Sequence, residues 1–186
     1  MNPFPGHPPG LGDRAPDIRL QWKEGEFVSL SFFWTQSPIL LVFLRHFGCI
    51  FCRQQLGELR FSYGEIRRLG TEVVTVSLAG PQRTEAFCQD QGVAFPCLAD
   101  PEGKAFQAYR LPRGEFWQIL GPAVLGRGIQ AFLRGARLGR PEGSVIQLPG
   151  AFLVNQQGFI QIAHRARHAG DIPPVDFWLQ AMRGSR

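Results

Sequence analysis

The sequence contains no run of about 18 apolar residues, so it predicts no membrane-spanning helix. Its first ten residues have neither a basic start nor an apolar stretch, and we therefore expect no secretory signal peptide. Cysteine is also scarce, with four in 186 residues. Four cysteines without a signal are typical of a reducing cytosol, where a closely spaced pair is more often catalytic than structural. We expect a cytoplasmic protein.

Acidic residues are nearly absent from one long stretch. Between Arg110 and Arg140 there are six arginines and a single acid, Glu115, against a net charge of +5 for the chain. Nothing here resembles a nucleic-acid-binding motif, and such a run is usually a solvated helix face, so we expect no nucleic-acid partner. The same stretch predicts an amphipathic helix with four apolar residues at helical spacing: Leu125, Ile129, Phe132 and Leu133.

The length and a hydrophobic fraction of 44% are typical of one globular domain. The first ten residues include four prolines and two glycines, a composition that favours flexibility. We therefore divide the chain into a flexible leader, residues 1–11, and one domain, residues 12–186.

Strand and helix patterns alternate along the domain, which predicts right-handed crossovers and a parallel pair of strands. One helix is expected to begin at Pro101 with Asp100 as its N-cap. The helix from residue 49 is expected to bury one side: Cys52, Leu56, Leu59 and Phe61. Strands are predicted at 18–20, 27–30, 39–44, 71–78, 95–100, 151–154 and 159–163, and helices at 49–69, 82–91, 101–108 and 175–182.

Two cysteines lie where the apolar strand at 39–44 gives way to a polar helix. Cys49 and Cys52 are three residues apart in the first helical turn, which places their Cβ atoms roughly 5–6 Å apart, so small adjustments allow a disulfide. The unpaired N–H groups and the positive dipole end of that turn favour a thiolate. This arrangement suits redox chemistry at sulfur.

Other uses of the pair meet specific objections. A zinc site needs two further ligands, and the remaining cysteines, Cys88 and Cys97, are nine residues apart. A c-type haem site needs histidine after the second cysteine, where Arg53 stands. A structural disulfide stays open as an alternative, although so small a loop constrains the unfolded chain little. We expect Cys88 to be a buried apolar side chain, and Cys97 is a candidate extra thiol.

Four segments, in order along the chain, carry a family resemblance: 12–17, the cysteine segment 43–53, the Phe-Pro-x-Leu-x-Asp-Pro-x-Gly stretch at 95–103, and the late hairpin at 150–158. Together they resemble the peroxiredoxin-like branch of the alkyl hydroperoxide reductase/thiol-specific antioxidant (AhpC/TSA) family. The resemblance implies an α/β, thioredoxin-like fold, in which helices flank a central mixed β-sheet. An enlarged helical insert is expected at about 111–147.

The cysteine segment differs from typical members of this family, which have Pro-x-x-x-Thr-x-x-Cys ending in the peroxidatic cysteine. If Cys52 takes that last place, Arg45 and Cys49 stand at the proline and threonine positions. Pro149 stands before Gly150, where the family has an arginine that helps to hold peroxide. Pro149 resembles the cis-proline that faces the cysteines in thioredoxins, and a trans-proline that opens an edge strand is the alternative.

We predict a thiol oxidoreductase that cycles between a dithiol and a Cys49–Cys52 disulfide and reduces peroxides or exchanges disulfides. Thioredoxin-like chemistry favours attack by Cys49, whereas similarity to peroxiredoxins favours Cys52. Arg45, His46 and Arg53 are the nearest cations in sequence, and each is a candidate to stabilise a thiolate.

The resemblance implies an external thiol reductant, the thioredoxin or glutathione system, and no bound cofactor or metal. Ile50 and Phe51 replace the Gly-Pro of ordinary thioredoxins and predict an apolar lip that favours a bulky or hydrophobic substrate. Two alternatives stay open. One is a reductase of a specific small peroxide or endoperoxide, and the other is a non-catalytic thioredoxin-fold module that binds a partner.

Overall fold

The computed structural model describes residues 6–114 and 146–184, which form a seven-stranded mixed sheet with helices on both faces. The strand order is β2-β1-β5-β4-β3-β6-β7, and the predicted α/β fold class is confirmed. The strands are β1 (Arg19–Lys23), β2 (Glu26–Ser29), β3 (Ile39–Leu44), β4 (Glu72–Ser77), β5 (Cys97–Ala99), β6 (Gly150–Val154) and β7 (Ile160–Arg165). The helices are α1 (Leu30–Trp34), α2 (Ile50–Arg68), α3 (Pro81–Asp90), α4 (Lys104–Ala108) and α5 (Val175–Gly184).

Strand β3 lies inside the sheet, and its six residues are all apolar and all buried. It pairs in parallel with β4 and antiparallel with β6, and β4 pairs in parallel with β5. The predicted parallel pair is therefore confirmed, and so is the late hairpin, which is β6–β7. Because β3 and β4 run in the same direction, their carboxyl ends meet at one edge of the sheet. The cysteine pair follows β3 at that edge.

Two apolar layers cover the sheet. On one face, Leu40 and Val42 of β3 share a buried cluster with side chains of α2, α3 and α5. On the other face, Leu41 and Phe43 share a cluster with side chains of α1 and α4. Successive strand residues point to opposite faces, so a single apolar strand serves both layers. The helix that carries the cysteine pair packs its apolar side on the first of these faces.

One residue expected on the buried side of α2 faces solvent. Cys52, Leu56 and Leu59 are buried as expected, whereas Phe61 is 93% exposed. Phe61 follows Leu59 by two residues, which is about 200° around an α-helix, so the two side chains cannot both face the sheet. The expectation for Phe61 is therefore wrong.

Helix α4 begins later than predicted. The chain makes a turn at 101–103, and the helix begins at Lys104 with Gly103 as its N-cap at a φ of 69°. Asp100 still stabilises this helix, because its carboxylate accepts the N–H groups of the first three helical residues. A capping carboxylate thus reaches these donors from four residues upstream, and this displaces the helix start from Pro101.

The leader and the insert are described only in part. The predicted insert at 111–147, with its amphipathic helix, lies mostly outside the described residues. Pro9 accepts a hydrogen bond from Arg165 (2.6 Å), and the N–H of Gly12 donates to Ile160 (2.8 Å). The domain boundary at residue 12 stays a prediction. Within residues 6–114 and 146–184, no helix is both long and apolar enough to cross a membrane.

Candidate active site

The cysteine pair lies at the amino end of α2, next to the edge of the sheet where β3 ends. Cys49 is the N-cap of the helix and has an extended backbone, with φ −72° and ψ 117°. Its N–H donates to the carbonyl oxygen of His46 (3.0 Å), and its own carbonyl accepts the N–H of Arg53 (3.1 Å). Cys52 is the third residue of the helix, so both cysteines belong to the first turn, as the sequence predicts.

The surroundings of Cys49 favour ionisation of its thiol. The largest influence is a hydrogen bond from the Cys52 thiol, and the Arg45 guanidinium and the backbone N–H groups of the first turn act in the same direction. Together they lower the pKa of Cys49 to about 6, although burial opposes the shift. Cys49 is therefore mostly a thiolate at neutral pH.

Cys52 has the opposite environment. Its hydrogen bond to Cys49, its burial and the negative charge of Cys49 raise the pKa of Cys52 well above its ordinary value. Cys52 is 1% exposed and Cys49 is 4% exposed. At neutral pH the pair therefore consists of one thiolate and one thiol that donates a hydrogen bond to it.

Arg45 lies beside the thiolate. It follows β3 directly, its side chain is buried, and its Nη1 lies 3.8 Å from Sγ of Cys49. His46 does not act as a cation at neutral pH, because burial and the charge of Arg45 lower its pKa to about 4. Arg53 donates from Nε to the carbonyl oxygen of Phe47 at 2.8 Å. Of the three candidate cations, the structure thus places Arg45 in contact with the sulfur.

An aromatic stack supports the loop before Cys49. Phe47 lies nearly parallel to Phe87 of α3, with the ring centroids 4.1 Å apart and an interplanar angle of 14°. The Arg53 guanidinium lies 5.3 Å from the centroid of the same Phe87 ring. Arg53 therefore joins Phe47 and Phe87 through a hydrogen bond and a cation–π contact. Sequence reasoning missed Phe87, because the two rings are distant in the chain.

Pro149 is not a cis-proline. The described residues contain no cis peptide bond, so the expected likeness to the thioredoxin cis-proline is wrong. The alternative, a trans-proline that opens an edge strand, is correct about the isomer. It is wrong about the edge, because β6, which begins at Gly150, lies between β3 and β7. The carbonyl oxygen of Pro149 accepts the N–H of Ala166 (3.1 Å) and extends the pairing of β6 with β7.

Cys97 is not an extra free thiol. It forms a disulfide with Cys88, and the free cysteines are Cys49 and Cys52. Cys88 is buried in the apolar cluster of α2 and α3 as expected, although it is bonded rather than free, and the expectation of an extra thiol at Cys97 is wrong. The chain reverses between α3 and β5, which brings the last turn of the helix next to the first residue of the strand. A spacing of nine residues does not reveal this reversal.

The two residues between the active-site cysteines face the interior. Ile50 and Phe51 are both buried and belong to the apolar cluster of α2, so the predicted surface lip is wrong. The first turn of the helix packs these side chains on its neighbours and leaves little apolar surface for a bulky substrate. Among the described side chains, no three His, Cys, Asp or Glu residues lie close enough together to hold a metal ion.

Comparison with known proteins decides the family. The AhpC/TSA family model matches residues 11–163. The chain belongs to the AhpC/TSA family. It is a thiol-dependent redox enzyme with a thioredoxin-like fold, which confirms the predicted family and the predicted class of enzyme.

Several known proteins are similar to this chain along most of its length. Prostamide/prostaglandin F synthase of Homo sapiens is 26% identical over 165 residues, which cover 85% of this chain and 81% of that protein. Peroxiredoxin-like 2C of Mus musculus is 22% identical over 165 residues, which cover 84% of this chain and 73% of that protein. The crystal structure of peroxidoxin BcpB from Mycobacterium tuberculosis has a TM-score of 0.72 at 17% identity, covering 96% of this chain and 99% of that one. This last likeness shows the fold.

Proposed function

We propose that the Cys49 thiolate attacks hydroperoxides and that Cys52 resolves the product. One observation carries the proposal: within a single hydrogen-bonded pair, the pKa of Cys49 is lowered to about 6 and that of Cys52 is raised. A dithiol–disulfide cycle needs a nucleophilic thiolate beside a thiol that keeps its proton until the second step. The first turn of α2 supplies both.

The cycle has two steps on the protein. First, the Cys49 sulfur forms a bond to one oxygen of the hydroperoxide, the O–O bond breaks, and the alkoxide takes a proton from solvent and leaves as an alcohol. The sulfur is oxidised to sulfenic acid. Second, the Cys52 sulfur attacks the Cys49 sulfur, its proton leaves with the hydroxyl group as water, and a disulfide forms. Two external thiols then reduce this disulfide and become a disulfide themselves.

We assign to Arg45 the stabilisation of the negative charge that develops in the first step. Its Nη1 lies 3.8 Å from the Cys49 sulfur, where the peroxide oxygens arrive. Typical members of the family have an arginine at the position where this chain has Pro149. Positive charge at the reacting atoms comes from Arg45 instead, and a guanidinium binds oxygen anions through directed N–H groups.

The enclosure of the site favours a small substrate. Cys49 is 4% exposed, so a small hydroperoxide reaches its sulfur more easily than a disulfide on a folded protein does. A specific endoperoxide is the second candidate, and it is favoured by relatives named prostamide/prostaglandin F synthase. Competition between hydrogen peroxide and an endoperoxide for the reduced protein separates the two. A strong preference for the endoperoxide would favour the second candidate.

For the reductant we propose the thioredoxin or glutathione system, and for the compartment the cytosol. A dithiol–disulfide cycle needs an external thiol donor, and both systems supply one in the cytosol, where cysteines are typically kept reduced. Turnover with thioredoxin and its reductase, compared with turnover with glutathione and glutaredoxin, identifies the electron donor. Cell fractionation identifies the compartment.

Two serine variants test the assignment of the cysteines. Cys49→Ser is expected to lose the reaction with peroxide. Cys52→Ser is expected to consume one equivalent of peroxide and to stop as a sulfenic acid on Cys49, which dimedone traps for mass spectrometry. Rapid peroxide consumption by Cys49→Ser, with dimedone attached to Cys52, would reverse the two roles and refute the proposal.

A further inference from the structure

The second cysteine pair takes no part in the cycle proposed above. Cys88 lies in the last turn of α3, and Cys97 is the first residue of β5. Their disulfide ties the end of a helix to a strand of the sheet across the connection at 91–96. The N–H of Val93 donates to the carbonyl oxygen of Cys88 (3.1 Å), so the connection folds back on the helix end.

A surface pocket of about 230 Å³ opens beside this disulfide. Both cysteines line it, together with apolar walls from Trp22 and Phe95 and the opposite charges of Lys23 and Glu85. The volume corresponds to about eight water molecules. Cys88 is 6% exposed and Cys97 is 8% exposed, so the pocket is the side from which a small dithiol approaches their sulfurs in the folded protein.

The last turn of α3 also supports the loop of the reactive cysteine. Phe87 immediately precedes Cys88, and its ring stacks on Phe47 at a centroid distance of 4.1 Å. Phe47 lies two residues before Cys49. One peptide link and one ring contact thus connect the Cys88–Cys97 disulfide to the Cys49 loop.

The first turns of α3 have an anchor of their own. The hydroxyl groups of Thr84 and Ser77 are hydrogen-bonded at 2.7 Å, and the N–H of Thr84 donates to the carbonyl oxygen of Gly80 (2.9 Å). Loss of the disulfide therefore leaves the start of the helix in place and removes the covalent tie of its last turn, which carries Phe87. The stack of Phe87 on Phe47 is the contact through which that loss reaches the Cys49 loop.

We propose that Cys88–Cys97 is a second thiol–disulfide exchange site, which small dithiols reduce through the adjoining pocket, and that its disulfide holds Phe87 on Phe47 and keeps Cys49 enclosed. The proposal goes beyond peroxide reduction and does not depend on it. Reduction opens the Cys49 loop to solvent, and reoxidation closes it.

The dithiol supplies the two electrons that reduce the Cys88–Cys97 disulfide. One thiolate of the reagent bonds to the Cys97 sulfur, the S–S bond breaks, and Cys88 leaves as a thiolate that takes a proton. The second thiol of the reagent then attacks the reagent's own first sulfur and releases Cys97 as a thiol. Two electrons have passed to the protein, and the dithiol has become a cyclic disulfide. A small disulfide restores the bond by the reverse reaction.

Reduction of the folded protein is the first test. The Cys52→Ser variant, in which the Cys49–Cys52 disulfide cannot form, is treated with dithiothreitol in the absence of denaturant. Differential alkylation and mass spectrometry locate the new thiols, while circular dichroism reports the fold. We expect Cys88 and Cys97 to be reduced at a rate proportional to the dithiothreitol concentration, with the fold retained. The proposal is overturned if the bond persists until denaturant unfolds the protein, or if the two cysteines never join in air.

Access to Cys49 is the second test. Its alkylation by iodoacetamide is measured at pH 8, where a thiol with a pKa of about 6 is almost wholly ionised, so the rate reports access alone. We expect the rate at Cys49 to rise severalfold when Cys88–Cys97 is reduced. Phe87→Leu with the disulfide intact should give the same rise, whereas Gln89→Ala, an exposed neighbour in the same turn, should give none.

Equal rates in the oxidised and reduced forms, or an unchanged rate in Phe87→Leu, would overturn the link to Cys49. Neither test uses peroxide. A failure of the proposed peroxide cycle therefore leaves both results interpretable.

Discussion

The hydrogen bond between Cys52 and Cys49 is the interaction on which the low pKa of Cys49 depends most. Cys52→Ala removes the donor, and Cys52→Ser keeps a hydroxyl donor at the same place. A hydrogen bond to a charged acceptor contributes about 1.5–3 kcal/mol, and about 1.36 kcal/mol corresponds to one pKa unit. In Cys52→Ala the pKa of Cys49 is therefore expected to rise from about 6 to about 7–8, and in Cys52→Ser it should stay near 6.

The pH dependence of iodoacetamide alkylation measures this change. At pH 6 the thiolate fraction of Cys49 is about one half in the wild type and about 1–10% in Cys52→Ala, so the rate falls by about 5–50-fold. Near pH 9 the two rates converge, because Cys49 is largely ionised in both proteins. In Cys52→Ala and in Cys52→Ser, Cys49 is the one free thiol, because Cys88 and Cys97 are joined in a disulfide.

Three results would contradict this expectation. An alkylation midpoint that stays near pH 6 in Cys52→Ala would show that the hydrogen bond does not lower the pKa. A wild-type midpoint above about pH 8 would show that Cys49 is an ordinary thiol. A rise of equal size in Cys52→Ser would assign the effect to packing rather than to the donor.

Three further predictions concern charge, pH and packing. Arg45→Met should raise the pKa of Cys49 from about 6 to about 7, while Arg45→Lys, which keeps the charge, should raise it less; the alkylation profile measures both. The pKa of Cys49 is about 6 in the folded protein, against an ordinary value of 9.0 in the unfolded chain. The free energy of unfolding should therefore increase as the pH rises from 6 to 9, and this contribution should be lost as the pH falls through 6. Denaturant titrations across this range check the increase, which Cys49→Ser should lack, and an equal increase in that variant would exclude Cys49 as its source. A Cβ at Gly150 would overlap Cδ2 of Leu111 and lie 3.0 Å from a backbone oxygen, so Gly150→Ala should lower the free energy of unfolding by about 1–3 kcal/mol. The double variant Gly150→Ala/Leu111→Ala should lose less free energy of unfolding than the two single variants together, because the smaller side chain removes the overlap. A loss equal to the sum of the two single losses would contradict the overlap.

The sequence could predict the elements that local patterns define. The strand at 39–44 has the predicted bounds because a run of six apolar residues has few alternatives to a strand buried on both faces. The start of α2 directly after Cys49, its N-cap, follows from the change to helical spacing there. Helix α1 was missed, since five residues carry too little periodicity to be recognised.

The contacts of the site depend on loops, and sequence proximity could not rank them. Arg45, His46 and Arg53 are all near the cysteines in the chain, but the turn after β3 directs Arg45 to the sulfur and leaves His46 neutral. Arg53 lies one residue beyond Cys52, yet it bonds to Phe47. The Cys88–Cys97 bond and the stack on Phe87 join residues whose meeting depends on how α3 and β5 pack.

The proposed cycle requires that peroxide generates a disulfide between Cys49 and Cys52. The most direct measurement starts from protein in which Cys49 and Cys52 are reduced and adds one equivalent of hydrogen peroxide. Free thiols are then blocked at once, and disulfides are mapped by mass spectrometry. We expect the new disulfide to join Cys49 to Cys52. Peroxide consumed while both cysteines are recovered as unmodified thiols would contradict it.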